Sequence, residues 1–195
     1  MSIPTKILVG QRNNNKTEKS EIFHDFFETF AHLVLQKCSK KEEVEKLDQL
    51  FEGFEFFRCA DLEFQAHVVE SCELARDQFM DQKLHVFEVG MIKPDEEQII
   101  SFRVLINYLE DDEEDEDHTS LIRIFEAVKK YNFPIDTEMQ LTSAKFRPRI
   151  RLLTRIIPDG TECEYDTSLP VSEKIRPLSD SLITNSTQLT FSVCD

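Results

Sequence analysis

Between Ser20 and Leu35 the chain places Ile22, Phe23, Phe26, Phe27, Phe30, Ala31, Leu33 and Val34 at helical spacing. They cover well over half of a helix circumference, so the pattern predicts a central, buried helix with Ser20 as its cap. Before it, Thr5 to Val9 (TKILV) reads as a short strand and Gly10 to Lys19 as a polar loop. After it, Lys37 to Lys46 is charged and loop-like or loosely helical, and Phe54 to Arg58 (FEFFR) is a short strand. Leu62, Ala66, Val69, Cys72 and Phe79 trace a stripe that predicts a second helix, capped by Asp61 and running to about Asp81.

Two near-strict alternations follow, Leu84 to Val89 (LHVFEV) and Gln98 to Ile106 (QIISFRVLI). The turn chemistry between them, Gly90 and Pro94-Asp95, makes them a hairpin. Leu121, Ile124, Phe125, Val128 and Tyr131 predict a third helix, capped by Ser120 and ending before Pro134. Ile150 to Ile157 reads as a strand closed by the turn Pro158-Asp159-Gly160. Thr161 to Thr187 then carries little periodicity, until Gln188 to Cys194 ends the pattern with clean alternation on Leu189, Phe191 and Val193. A long aperiodic segment between two good strands is unusual inside a compact domain, and such segments tend to be functional. The fold class is α+β in a single domain, with a core of about 20–157 and a closing part of about 158–195.

Composition refines this picture. There are 16 Phe, three Tyr and no Trp among 195 residues, so phenylalanine supplies most of the large core volume. The formal charge is -15, but Glu110 to Asp117 (EDDEEDED) accounts for eight acids and leaves -7 for the remainder. Self-repulsion makes that run a solvated loop, about 110–118, with docking of a basic partner as its secondary reading. Nonspecific nucleic-acid affinity comes from Lys and Arg neutralising phosphates, so direct nucleic-acid binding is not expected. Cys38, Cys59, Cys72, Cys163 and Cys194 are scattered and odd in number, without zinc spacing. They fit small buried hydrophobes in a reducing nucleus or cytoplasm. No apolar run reaches membrane-spanning length and the N-terminus lacks a signal-peptide core, so no membrane role is expected.

Catalytic chemistry is hard to assemble. Gly10, Gly53, Gly90 and Gly160 are isolated, which excludes a phosphate-cradling loop, a dinucleotide fingerprint or a nucleophile elbow. None of His24, His32, His67, His85 and His118 has a carboxylate, serine or cysteine at catalytic spacing. His67 and Cys72 lie five apart on a helix, off a common face. No enzyme activity, metal or cofactor is implied. One basic feature stands out: Lys145, Arg147, Arg149 and Arg151 alternate into the strand at Ile150, on one side if extended. They read as charges guarding a sheet edge or as a surface for an acidic partner.

Several segments together resemble the HORMA domain. Ser20 to Leu35 (SEIFHDFFETFAHLVL) is similar to that family's buried first helix, and Cys59 to Phe64 (CADLEF) to the entry of its second. Leu84 to Ile106 resembles its central hairpin and Leu121 to Val128 (LIRIFEAV) its third helix. Lys174 to Val193 (KIRPLSDSLITNSTQLTFSV) resembles its closing segment. The resemblance implies a mainly antiparallel sheet on three helices and a C-terminal safety belt, here Gly160 to Thr187. It implies an adaptor whose belt wraps a partner peptide added as a strand to the edge Ile150 to Ile157. Partner-contacting residues would be His67, Ile150 and Leu152, with Tyr165 or Leu169 where the family commonly has a belt tryptophan. At a second-partner surface the matching positions are Ile175, Leu178, Gln188 and Thr190. The first helix and the IRPL…TQLTF ending are most similar to the branch that serves DNA polymerase zeta in translesion synthesis and DNA repair. That branch implies a peptide of the polymerase catalytic subunit as partner, and a HORMA–HORMA dimer. The strand KILV and the short belt favour instead the checkpoint branch, which hands another HORMA protein to a remodelling AAA+ ATPase.

Overall fold

A computed structural model describes residues 6–38, 44–46, 54, 56–59, 62–109, 118–143, 145–154, 175–177, 182–183 and 187–194. Helix α1 runs Lys6–Cys38 and is followed by strand β1, Val44–Lys46, which pairs antiparallel with β2, Phe57–Cys59. Helix α2 is Leu62–Met80, and the hairpin strands are β3, Leu84–Ile92, and β4, Gln98–Tyr108. Helices α3, His118–Lys130, and α4, Ile135–Ser143, precede β5, Arg147–Thr154. The chain ends in β6, Ile175–Pro177, β7, Leu182–Ile183, and β8, Thr187–Cys194. The main sheet has the order β5-β3-β4-β8-β6, with β7 also on β8, and every pairing is antiparallel.

The Phe-rich turn of α1 organises the core. Phe23 stacks on Phe79 of α2 at 3.8 Å, and Phe26 stacks on Phe125 of α3 at 5.4 Å. Phe27 meets Phe87 of β3 at 4.6 Å, and Phe30 meets Phe191 of β8 edge-on at 5.8 Å. Four side chains on two turns of one helix therefore bridge to two helices and two strands, and all four are fully buried. The sheet face that receives them carries Phe87, Val89, Phe102, Val104, Leu189, Phe191 and Val193, as strand alternation requires.

Several sequence expectations need correction. Residues 6–9 and the supposed loop to Lys19 are helical, so α1 begins before Ser20, which is not its cap. A three-residue apolar run is compatible with either structure, and no proline stands between Thr5 and Ser20 to stop a helix. Lys37 to Lys46 holds the last helical residues and strand β1, not a plain loop. On α2 the buried stripe is Phe64, Val68, Cys72, Ala75 and Phe79, whereas Leu62 is 76% exposed and Ala66 and Val69 also face solvent. Val68 and Val69 are chemically identical, and only packing selects between them. Helix α3 starts at His118, so Ser120 lies inside it. Helix α4 makes a fourth helix where three were expected, because only Thr137 and Leu141 are buried among its residues with described side chains.

The connections use local chemistry. At the end of α2 the Gln82 amide donates to the Phe79 carbonyl at 2.9 Å and Lys83 to Gln78 at 2.8 Å. That is a Schellman closure with Gln82 at φ 56°, the left-handed position that glycine usually fills. In the hairpin, a Cβ on Gly90 would sit 3.1 Å from the Ser101 Cβ and 3.2 Å from the Ile100 carbonyl oxygen, so the strands approach there at glycine distance.

Candidate partner-binding edge and closing strand

Strand β5 ends the sheet on one side: it pairs with β3 from Leu84↔Thr154 to Ile92↔Arg147, and no described strand lies beyond it. Proline at 148 inside a strand fits that edge position. Ile150 and Leu152 point to the helix side and pack, half-buried, against the core. Arg147, Arg149 and Arg151 occupy the alternate positions and share the sheet's other face with Ile92, Gly90 and Glu88 of β3. Three members of the basic alternation thus form one row on an edge strand, and Lys145 precedes that strand.

Beneath that row lies a buried charge pair. Arg103 Nε of β4 donates to Glu88 Oε2 of β3, and the two residues are only 2% and 1% exposed. Arg151 Nε approaches the other Glu88 oxygen at 3.4 Å. The three are cross-strand neighbours, since Glu88 is opposite Arg103 on one side and Arg151 on the other. Sequence reasoning did not single out Glu88 and Arg103. Their signal was present in the hairpin, where each charge falls between two core residues and the register places them opposite. Further along the row, an Arg149 terminal nitrogen donates to Gln98 Oε1 at 3.2 Å, and Arg147 pairs with Glu96 in the hairpin turn.

The closing strand occupies the other side of the sheet. β8 pairs with β4 from Tyr108↔Thr187 to Ser101↔Cys194, and β6 and β7 add outside it. The expected site residues therefore divide. Ile150 and Leu152 lie on β5, whereas Gln188 and Thr190 lie on β8, half-buried and paired with Asn107 and Leu105. The backbone of Ile175 pairs with Cys194. Tyr165, Leu169 and Leu178 lie outside the described residues, as do 155–157 of the expected edge strand, most of the expected belt and the acidic run 110–117. β5 and β8 are three strand positions apart, about 14 Å at the usual spacing.

His67 is exposed on α2, its ring edge-on to Phe64 at 6.5 Å. It forms no pair with Cys72, whose buried thiol is pushed well above the ordinary value by loss of solvation. Cys38, likewise buried, is pushed up to about 12, which keeps it protonated and unreactive. Among the described residues, no group of His, Cys, Asp or Glu is placed to hold a metal, and no helix is long and apolar enough to cross a membrane.

No protein-family model and no curated protein sequence matches the chain. Solved structures do. A chain of a mitotic checkpoint complex superposes with a TM-score of 0.62 at 11% identity, over 90% of this chain and 97% of that one. HTP-2 bound to HTP-3 motif-6 gives 0.60 at 14% identity, over 92% and 91% of the two chains. These neighbours are HORMA-domain proteins. The fold is that of the HORMA domain. C. elegans HTP-1 bound to a HIM-3 closure motif shares it, with a TM-score of 0.59 at 14% identity over 92% and 91% of the chains. In this HORMA fold β5 ends the sheet on one side, and the closing strand β8, with β6 and β7 outside it, lies on the other.

Proposed function

We propose that the chain is a non-catalytic adaptor, capturing an extended partner segment as a new strand on the outer edge of β5 and holding it beneath a belt. The observation that carries this reading is topological. β8 sits against β4, so β5 is left terminal, and the chain must travel from the end of β5 to β6 on the opposite side of the sheet. That journey is four strand spacings, about 19 Å. The connection, residues 155–174, is twenty residues and can extend to roughly 66 Å. The surplus is ample for passing outside one more strand about 4.8 Å beyond β5. The likeness to HTP-1 and HTP-2 bound to motif peptides supports the same reading.

Hydrogen exchange tests it. A captured peptide should protect β5 amides that face away from β3 and slow proteolysis within 155–174. Binding with no added protection at either place would contradict strand capture.

As its setting we propose a nuclear scaffold in translesion synthesis or DNA repair, which rests on the likeness of the first helix and the IRPL…TQLTF ending to the polymerase-zeta branch. A checkpoint adaptor that delivers another HORMA protein to an AAA+ ATPase is the second reading, supported by the likeness to a mitotic checkpoint complex chain. The helical conformation of residues 6–9 removes the strand KILV as an argument for it. Affinity purification separates the two. A polymerase catalytic subunit selects the first, and a HORMA partner with an ATPase selects the second.

A further inference from the structure

Which partner segment suits the edge is written in the arginine row. We infer that β5 selects a strand of alternating acidic and apolar residues, with the acids opposite Arg147, Arg149 and Arg151. The inference rests on the strand-capture reading above. Alternation on β5 divides it into an arginine side and an Ile150/Leu152 side, so an added strand meets charge and apolar surface on its two faces.

Among the described residues, the arginines of β5 are incompletely neutralised from within. Arg147 pairs with Glu96, and Arg151 reaches Glu88, a carboxylate that Arg103 already holds. An Arg149 terminal nitrogen donates to the neutral amide oxygen of Gln98. Arg149 Nε is buried without a hydrogen-bond partner. This positive excess stands in a chain of net charge -15, so it is local and opposite to the overall field. A cross-strand carboxylate would lie about 5 Å from each arginine Cβ, within reach of a guanidinium. A neutral or basic strand would bury the surplus charge against itself, so such strands are disfavoured at this edge.

The test uses the full chain and eight-residue labelled peptides, the length of β5. Four are compared by fluorescence anisotropy: alternating Asp/Val, alternating Asn/Val, alternating Lys/Val, and Asp and Val in separate blocks. The alternating acidic peptide should bind at least about tenfold more tightly than the Asn version, and this advantage should shrink with salt. Combining Arg147→Glu with Arg149→Glu should transfer the preference to the Lys peptide, with folding checked by circular dichroism. Arg147→Gln, at an exposed position, should reduce the acidic preference by a smaller factor. Equal binding of Asp/Val and Asn/Val peptides, with β5 amides protected by both, would overturn the acidic preference and leave strand capture standing. Equal binding of the block peptide would overturn the alternating register. Failure of every peptide to bind would overturn both this inference and the capture reading.

Discussion

Glu88, Arg103 and His32 show what single residues cost inside this sheet and helix. Removing one member of a buried ion pair leaves the other charge desolvated and uncompensated, which typically costs about 3–5 kcal/mol. Glu88→Ala should therefore lower the unfolding free energy, read from denaturant melts, by an amount in that range, because Arg103 stays buried. Replacing both by apolar residues of similar size should recover much of the loss. His32 is governed by solvation instead. Burial, with the Arg58 charge second, lowers its pKa from the ordinary 6.5 to about 4. The unfolded chain then binds the extra proton first, so His32 leaves stability intact above pH 6.5 and erodes it as pH falls towards 4. The erosion is on the order of 3 kcal/mol at its limit. His24, raised first by its hydrogen bond to Asp25, has the opposite sign, and its contribution is already complete below pH 6.5. Urea melts at pH 7, 6, 5 and 4 should show the decline, and His32→Gln should flatten it.

At the scale of elements, legibility followed chemical contrast. The first helix was visible because its phenylalanines have no polar rivals on that face, and the hairpin because Leu84 to Val89 and Gln98 to Ile106 alternate almost strictly around turn chemistry. Helix α4 was not visible, since two buried residues make no stripe. On α2 Cys72 and Phe79 were placed correctly, whereas Val69 was taken for its buried neighbour Val68, because adjacent valines carry identical information. The edge strand was placed in part: it starts at Arg147 rather than Ile150, and residues 155–157 lie outside the described residues. The buried Glu88–Arg103 pair could be anticipated only after the hairpin register was known. The turn after α2 offers a test of local strain. Gln82 occupies the left-handed region at φ 56°, which costs a non-glycine residue about 1 kcal/mol. Gln82→Gly should therefore raise the melting temperature by roughly 2–4 °C for a chain this size, measured by calorimetry.

Across the molecule, the strands that flank the proposed belt are fixed in the same core. Its start is β5, hydrogen-bonded to β3, and its end leads to β8, whose Phe191 packs on Phe30 of α1 and Phe102 of β4. Deleting the last 35 residues would remove Phe191 and Val193 from the core, so loss of capture in that truncation would report unfolding as readily as belt loss. Phe191→Ala is more informative. It should cost about 3–5 kcal/mol in stability, and under conditions where the chain stays folded it should shorten the life of a captured complex.

The seating of Phe191 sets a clock as well as a fold. If release requires β8 to leave the core, partner exchange is a local unfolding reaction, and its rate is governed by that barrier rather than by diffusion. Dissociation should then accelerate roughly 3–6-fold per 10 °C, as unfolding rates do, while association stays nearly temperature-independent once the edge is open. Off-rates measured between 15 and 35 °C should follow that steep course. A shallow dependence would mean that the partner slips out past a belt that never lets go.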